Sequence, residues 1–190
     1  MKERKIFRNL SIVVAYALYL SVIFSGKSYA GIYSGGFATG HLTYNIGGSE
    51  DITTRAASQW NGVTSKASLT YSSATDKYGS SANIITYFDV YESPVYGKLG
   101  VTYMYSTWGL SANLARKNEL WVKAICYQYK TTLLNTTTKK VATATHELGH
   151  ALGIDHPSDT STDAVMQQGV KTSCSLKAYD KQNLIAKWGK

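Results

Sequence analysis

The sequence predicts an α+β protein, on three observations. Five short runs are rich in β-branched and aromatic residues, three longer segments repeat their apolar residues at helical spacing, and no internal repeat or linker divides the chain. Strands and helices therefore belong to one body built around a single core.

The elements follow in order. Residues 1–30 read as an export signal: Lys2, Arg4, Lys5 and Arg8 precede an apolar run from Leu10 to Phe24, and Ser28-Tyr29-Ala30 ends in a small residue suited to cleavage. The run falls short of the roughly 18 to 20 residues that span a bilayer, so no stable membrane association is expected after cleavage. Residues 31–190 then suffice for a single domain, divided on the resemblance given below into an upper part over about 31–153 and a lower part over about 154–190. Leu42, Tyr44 and Ile46 alternate as a strand, and Gly47-Gly48 ends it. Ile52, Ala56, Trp60 and Val63 mark a helix that starts behind Ser49 and acidic Glu50-Asp51. Leu69 to Ser72, Asn83 to Asp89, Gly100 to Tyr105 and Leu120 to Tyr129 supply four more strands. A helix from about Thr137 to Gly153 has capping hydroxyls at Thr136 to Thr138 and an apolar side of Val141, Ala144, Leu148, Ala151 and Leu152. A last helix near Tyr179 to Trp188 docks through Leu184, Ile185 and Trp188 and stops at Gly189.

Residues 146 to 156 carry the chemistry: His-Glu-Leu-Gly-His-Ala-Leu-Gly-Ile-Asp-His. His146 and His150 stand four apart, so a helix of 3.6 residues per turn stacks them on one face where they can share a metal ion. Gly153 accepts φ > 0 and lets the chain leave the helix, which brings His156 back as a third ligand. Glu147 sits beside them as the base. Three of the chain's four histidines fall in these eleven residues. The full pattern should arise by accident in roughly a few per million chains of this size. A zinc ion on three neutral histidines keeps a fourth position for water and lowers the pKa of that water, and Glu147 is placed to take its proton.

These residues resemble the metzincin zinc metalloproteases, and within them the matrixin-like members. His146-Glu147 to His150, Gly153 and His156 fit the metzincin motif, and Met166 fits its Met-turn. Trp60-Asn61-Gly62-Val63-Thr64 resembles the end of a matrixin first helix, Ala82-Asn83-Ile84 a matrixin strand start, and Asp180 to Gly189 the C-terminal helix. The resemblance implies a zincin fold: a twisted mixed five-stranded sheet with an antiparallel edge strand, two main helices, and a small C-terminal subdomain with a final helix. It implies a secreted, extracellular endopeptidase acting on protein or peptide substrates as a monomer, with one catalytic Zn2+. Gly100, Val101 and Thr102 become the substrate-binding edge, where a peptide adds as a strand. Met166 becomes an apolar floor beneath the histidines. The segment Gln167 to Leu176 becomes the wall of the selective pocket.

Departures and rivals narrow this reading. Gln168 stands where some metzincins carry a tyrosine ligand, and His41 is the only histidine left for a second zinc, so one ion is expected. No glutamate follows Glu147, which excludes zinc peptidases that take a downstream glutamate as third ligand. Asp155, Asp159 and Asp163 are alternatives to His156 but weaker ones. A non-catalytic zinc-binding or adhesion protein is the rival from another class, and the intact Glu147 argues against it. The formal charge of +8 falls to +4 once Lys2, Arg4, Lys5, Arg8, Lys27 and Glu3 leave with the signal, and no basic run points to nucleic acid. Export allows a bridge between Cys126 and Cys174, closing a loop of about 49 residues and tying the pocket wall to the sheet, while two separately buried thiols are the alternative.

Overall fold

The computed structural model describes residues 31–73 and 81–190, and the expected export signal lies outside them. Each predicted run becomes an element. The strands are β1 (Gly40–Ile46), β2 (Ala67–Tyr71), β3 (Ile84–Glu92), β4 (Gly100–Thr107), β5 (Asn113–Leu114) and β6 (Lys123–Lys130). The helices are α1 (Glu50–Trp60), α2 (Thr137–Ala151) and α3 (Ala178–Trp188).

The sheet runs β2-β1-β3-β6-β4-β5. The pairs β1 with β2, β1 with β3 and β3 with β6 are parallel, and β4 runs antiparallel to β6. This is the mixed sheet with an antiparallel edge that the resemblance implies, with one strand more. β5 has only two residues, too few for a period-two pattern, and it pairs with β4 at Tyr105 and Thr107 alone. The stretch Gly100 to Tyr103 therefore has β6 on one side and, among the described residues, no strand on the other. β6 starts at Lys123 rather than Leu120, because Trp121 turns into the core at 2% exposure and Leu120 only bridges to Gly36.

Local chemistry explains the helix ends. The Ser49 side chain accepts from the Ile52 N–H and opens α1, while the Thr136 side chain accepts from the Lys139 N–H and opens α2. α1 stops at Trp60, leaving Val63 outside the helix but packed on the core. The Asn61 amide then grips both the N–H and the C=O of Leu69, at 2.7 and 2.9 Å, and ties the end of α1 to β2.

Both α1 and α2 cover one face of the sheet. Val141, Ala144, Leu148, Ala151 and Leu152 are all within 1% of full burial, as the helical spacing predicts. Trp60, 1% exposed, lies between the helices and donates its indole N–H to the Thr145 carbonyl at 2.9 Å. Truncating a side chain so placed typically costs about 3–5 kcal/mol. α3 docks through buried Leu184 and half-buried Trp188, whose indole N–H donates to the Leu152 carbonyl at 2.9 Å, while Ile185 is only half-buried. The Lys187 ammonium reaches the Tyr33 carbonyl at 2.7 Å, so α3 also clasps the first described residues.

The expected bridge between Cys126 and Cys174 is not formed: both are free thiols. Cys126 faces inward from β6, fully buried, with its sulfur 3.6 Å from the Thr102 hydroxyl and from the Glu147 carbonyl oxygen. Burial pushes the Cys126 thiol well above its usual pKa. Cys174 packs separately on the edge of the core.

Candidate metal centre and cleft

Helix α2 sets the first two histidines. One turn apart, the Nε2 atoms of His146 and His150 lie 3.1 Å from each other. Gly153 adopts φ +85°, a conformation that favours glycine, and the chain turns back there. His156 returns with its Nε2 3.0 Å from that of His146 and 3.1 Å from that of His150. Three ring nitrogens thus face one point.

Their protonation is set by what lies behind them. His146 Nδ1 meets the Val165 carbonyl at 2.9 Å, and His150 Nδ1 meets the Ile154 carbonyl at 2.9 Å. A carbonyl only accepts, so both Nδ1 atoms carry the proton and both Nε2 lone pairs face the shared point. The Tyr33 hydroxyl oxygen lies 3.0 Å from His150 Nδ1 as well, and burial raises the phenol above its usual pKa. The Gln168 amide nitrogen stands 3.3 Å from His156 Nδ1, so the residue found in place of a tyrosine ligand contacts the outer edge of the third histidine instead. Burial lowers His146 to about 4, and burial also lowers His150 and His156, so all three are neutral at pH 7.

These residues fit a zinc ion. Bonds of about 2.0 Å in tetrahedral geometry put ligand nitrogens roughly 3.3 Å apart, close to the 3.0–3.1 Å found. Neutral imidazoles, two of them with the tautomer set by a backbone carbonyl, are the donor set that zinc takes. Met166 lies beneath them with no exposure, and Gly149 makes room for it, since a Cβ there would come within 2.3 Å of the Met166 sulfur. The turn is held by Asp180, wholly buried, whose carboxylate accepts from the N–H groups of Val165, Met166 and Lys177 at 2.8–3.1 Å.

Glu147 is 5% exposed. The Thr102 hydroxyl lies 2.8 Å from its Oε2 and 2.8 Å from its carbonyl oxygen. Burial raises its carboxyl to about 8, while the Thr102 hydrogen bond and the Lys98 charge pull it down. A dication held by the neighbouring histidines favours the carboxylate form in the same sense. Gly100 leaves the space that Glu147 occupies: a Cβ there would stand 2.6 Å from Glu147 Oε1 and 2.6 Å from the Tyr127 carbonyl oxygen.

A cleft of about 530 Å³ joins these parts. Gly100, Val101 and Thr102, the predicted substrate edge, line one wall with His146, Glu147, His150 and His156 at the floor, and the segment from Gln168 to Lys171 lines another. His41 lies apart on β1, exposed, with its ring 2.9 Å from the Ser68 hydroxyl. Tyr33, the Asp180 clamp and the contact of Gln168 with His156 were not expected from the sequence. Tyr33 had no signal at all, because it reaches His150 only through the pairing of Ile32 with Ile154.

The model of the matrixin family matches residues 39–186. Among solved structures the chain is similar to myroilysin, with 15% identity and a TM-score of 0.50 over 85% of this chain and 99% of that one. A second myroilysin structure gives 14% identity and a TM-score of 0.47 over 86% and 94%. A chain of the GM1 bound form of the ECX AB5 holotoxin gives 10% identity and a TM-score of 0.45 over 78% and 80%. At such identities the likeness is one of fold. No curated protein sequence matches the chain.

Proposed function

The chain belongs to the matrixin family of zinc metalloproteases, and from that premise we propose that it is a secreted, monomeric endopeptidase that hydrolyses internal peptide bonds with one zinc ion. The observation that carries this reading is the set of three Nε2 atoms within 3.1 Å of one another, with the Glu147 carboxylate in the same cleft as an unpaired strand edge.

His146, His150 and His156 would hold the ion, which when bound would polarise the scissile carbonyl and acidify the attacking water. The remaining work falls to the chain. Gly100 to Tyr103 pair with the extended substrate backbone and set the bond over the histidines. Glu147 takes the proton from water as the water oxygen bonds to the carbonyl carbon, and returns it to the amide nitrogen as the C–N bond breaks. Thr102 holds the carboxylate so that its free oxygen faces the cleft. Met166 and Gly149 keep the floor apolar.

The test combines metal content with turnover. Purified mature chain should bind one zinc per molecule and cleave a mixed peptide library, while Glu147→Ala keeps the zinc and loses activity by about 10³-fold or more. Equal zinc in both forms with no cleavage by either would overturn the enzymatic reading in favour of a zinc-binding module.

A further inference from the structure

Resting on the endopeptidase reading, we propose that Lys98 and Lys171 make the cleft selective for peptides with carboxylate side chains flanking the scissile bond. Both lysines line the cleft, on different walls: Lys98 leads into β4, and Lys171 follows the Met166 turn. Each is half-buried. Lys98 has the Tyr129 ring 6.0 Å from its ammonium, and the Lys171 ammonium donates to the Gln168 carbonyl at 3.3 Å. Among the described residues neither forms an ion pair.

The third lysine of the cleft shows what satisfaction looks like. Lys117 meets both Asp155 oxygens at 3.0 and 3.2 Å and stands 4.6 Å from the centre of the Tyr33 ring. Apart from Glu147, which serves as the base, no acidic residue lines the cleft. Asp163 and Asp180 act on Lys171, and Glu147 on Lys98, only without ion-pair contact, so each half-buried ammonium has given up part of its water and keeps room for a carboxylate brought by substrate. The two charges also bracket the chemistry. Lys98 bears on Glu147 and Lys171 on His146, and burial draws Lys171 below the usual lysine pKa.

The experiment uses quenched fluorescent peptides of one backbone, flanked at the scissile bond by Asp and Glu, by Asn and Gln, or by Lys. Wild type should favour the acidic peptide over its amide isostere by about tenfold in kcat/KM, and the ratio should shrink at 1 M salt, where the Debye length drops to about 3 Å. Lys98→Gln and Lys171→Gln should each reduce the ratio by roughly threefold, and Lys98→Glu with Lys171→Glu should invert it toward the Lys peptide. Lys181→Glu, the charge change of one such reversal placed on the exposed side of α3, should leave it unmoved. Zinc-loaded Glu147→Ala binding the same peptides, read by fluorescence anisotropy, gives the affinity ratio without turnover. Cleavage with no acidic preference, unchanged in the double charge reversal, overturns the selectivity and leaves the endopeptidase standing. Preferential binding of the acidic peptide without any cleavage by wild type does the reverse. Neither cleavage nor binding overturns both.

Discussion

The floor and the wall of the cleft are built to opposite standards. Along α2, every residue from Val141 to Ala151 except half-buried His146 is buried, and the two helical histidines are each anchored from behind by a backbone carbonyl. Along β4, no residue is fully buried, and its first half offers a backbone edge that nothing in the described chain completes. Atoms that must hold a metal ion in one geometry are held on all sides, because a misplaced ligand is a lost ligand. Atoms that must receive many peptides are left open on one side, because the substrate supplies the missing partner. Glu147 and Thr102 join the two regimes.

The contrast can be broken first at the floor. His150→Ala removes a ligand and should abolish stoichiometric zinc binding, with activity down about 10³-fold or more and the melting temperature no longer sensitive to chelator. Metal analysis and thermal melts with and without EDTA report it. Next comes the junction. Gly100→Ala puts a methyl group into the Glu147 carboxylate, and kcat/KM should fall about 10²-fold while zinc content stays at one. If metal were lost along with activity, the wall and floor would not be separable as described.

Smaller effects sharpen the picture. Asp180→Ala strands two buried N–H groups and the part-buried Lys177 N–H, and should destabilise the fold by about 2–3 kcal/mol in a denaturant titration, loosening the Met166 floor from outside the cleft. Thr102→Val removes a hydrogen bond that favours the Glu147 carboxylate, so the pKa of that group must rise. The acid limb of the kcat/KM profile then moves to higher pH, and activity at neutral pH drops several-fold. A limb that shifts to lower pH would contradict the assigned donor.

Legibility in the sequence followed the same division. His146, His150, Gly153 and His156 lie within eleven residues, and helix geometry alone converts their spacing into a shared point. The burial of Val141, Ala144 and Leu148 was readable for the same reason, since a helix maps sequence offset onto a face. β5 was not readable, because two residues carry no period. The cysteines misled because an expectation of export permits a bridge but does not aim one sulfur at another, and Cys126 faces Glu147 instead.

By itself the sequence determined that His146, His150 and His156 would meet with Glu147 beside them, which runs form strands and helices, and the matrixin resemblance, because these depend on spacings within a few residues. Only the tertiary structure decided which carbonyl backs His146, why residue 100 is glycine, and which lysines stand in the cleft without an ion-pair partner. Such contacts join residues far apart in the chain, His146 with Val165, Gly100 with Glu147 and Tyr33 with His150, and only the folded chain brings such partners together.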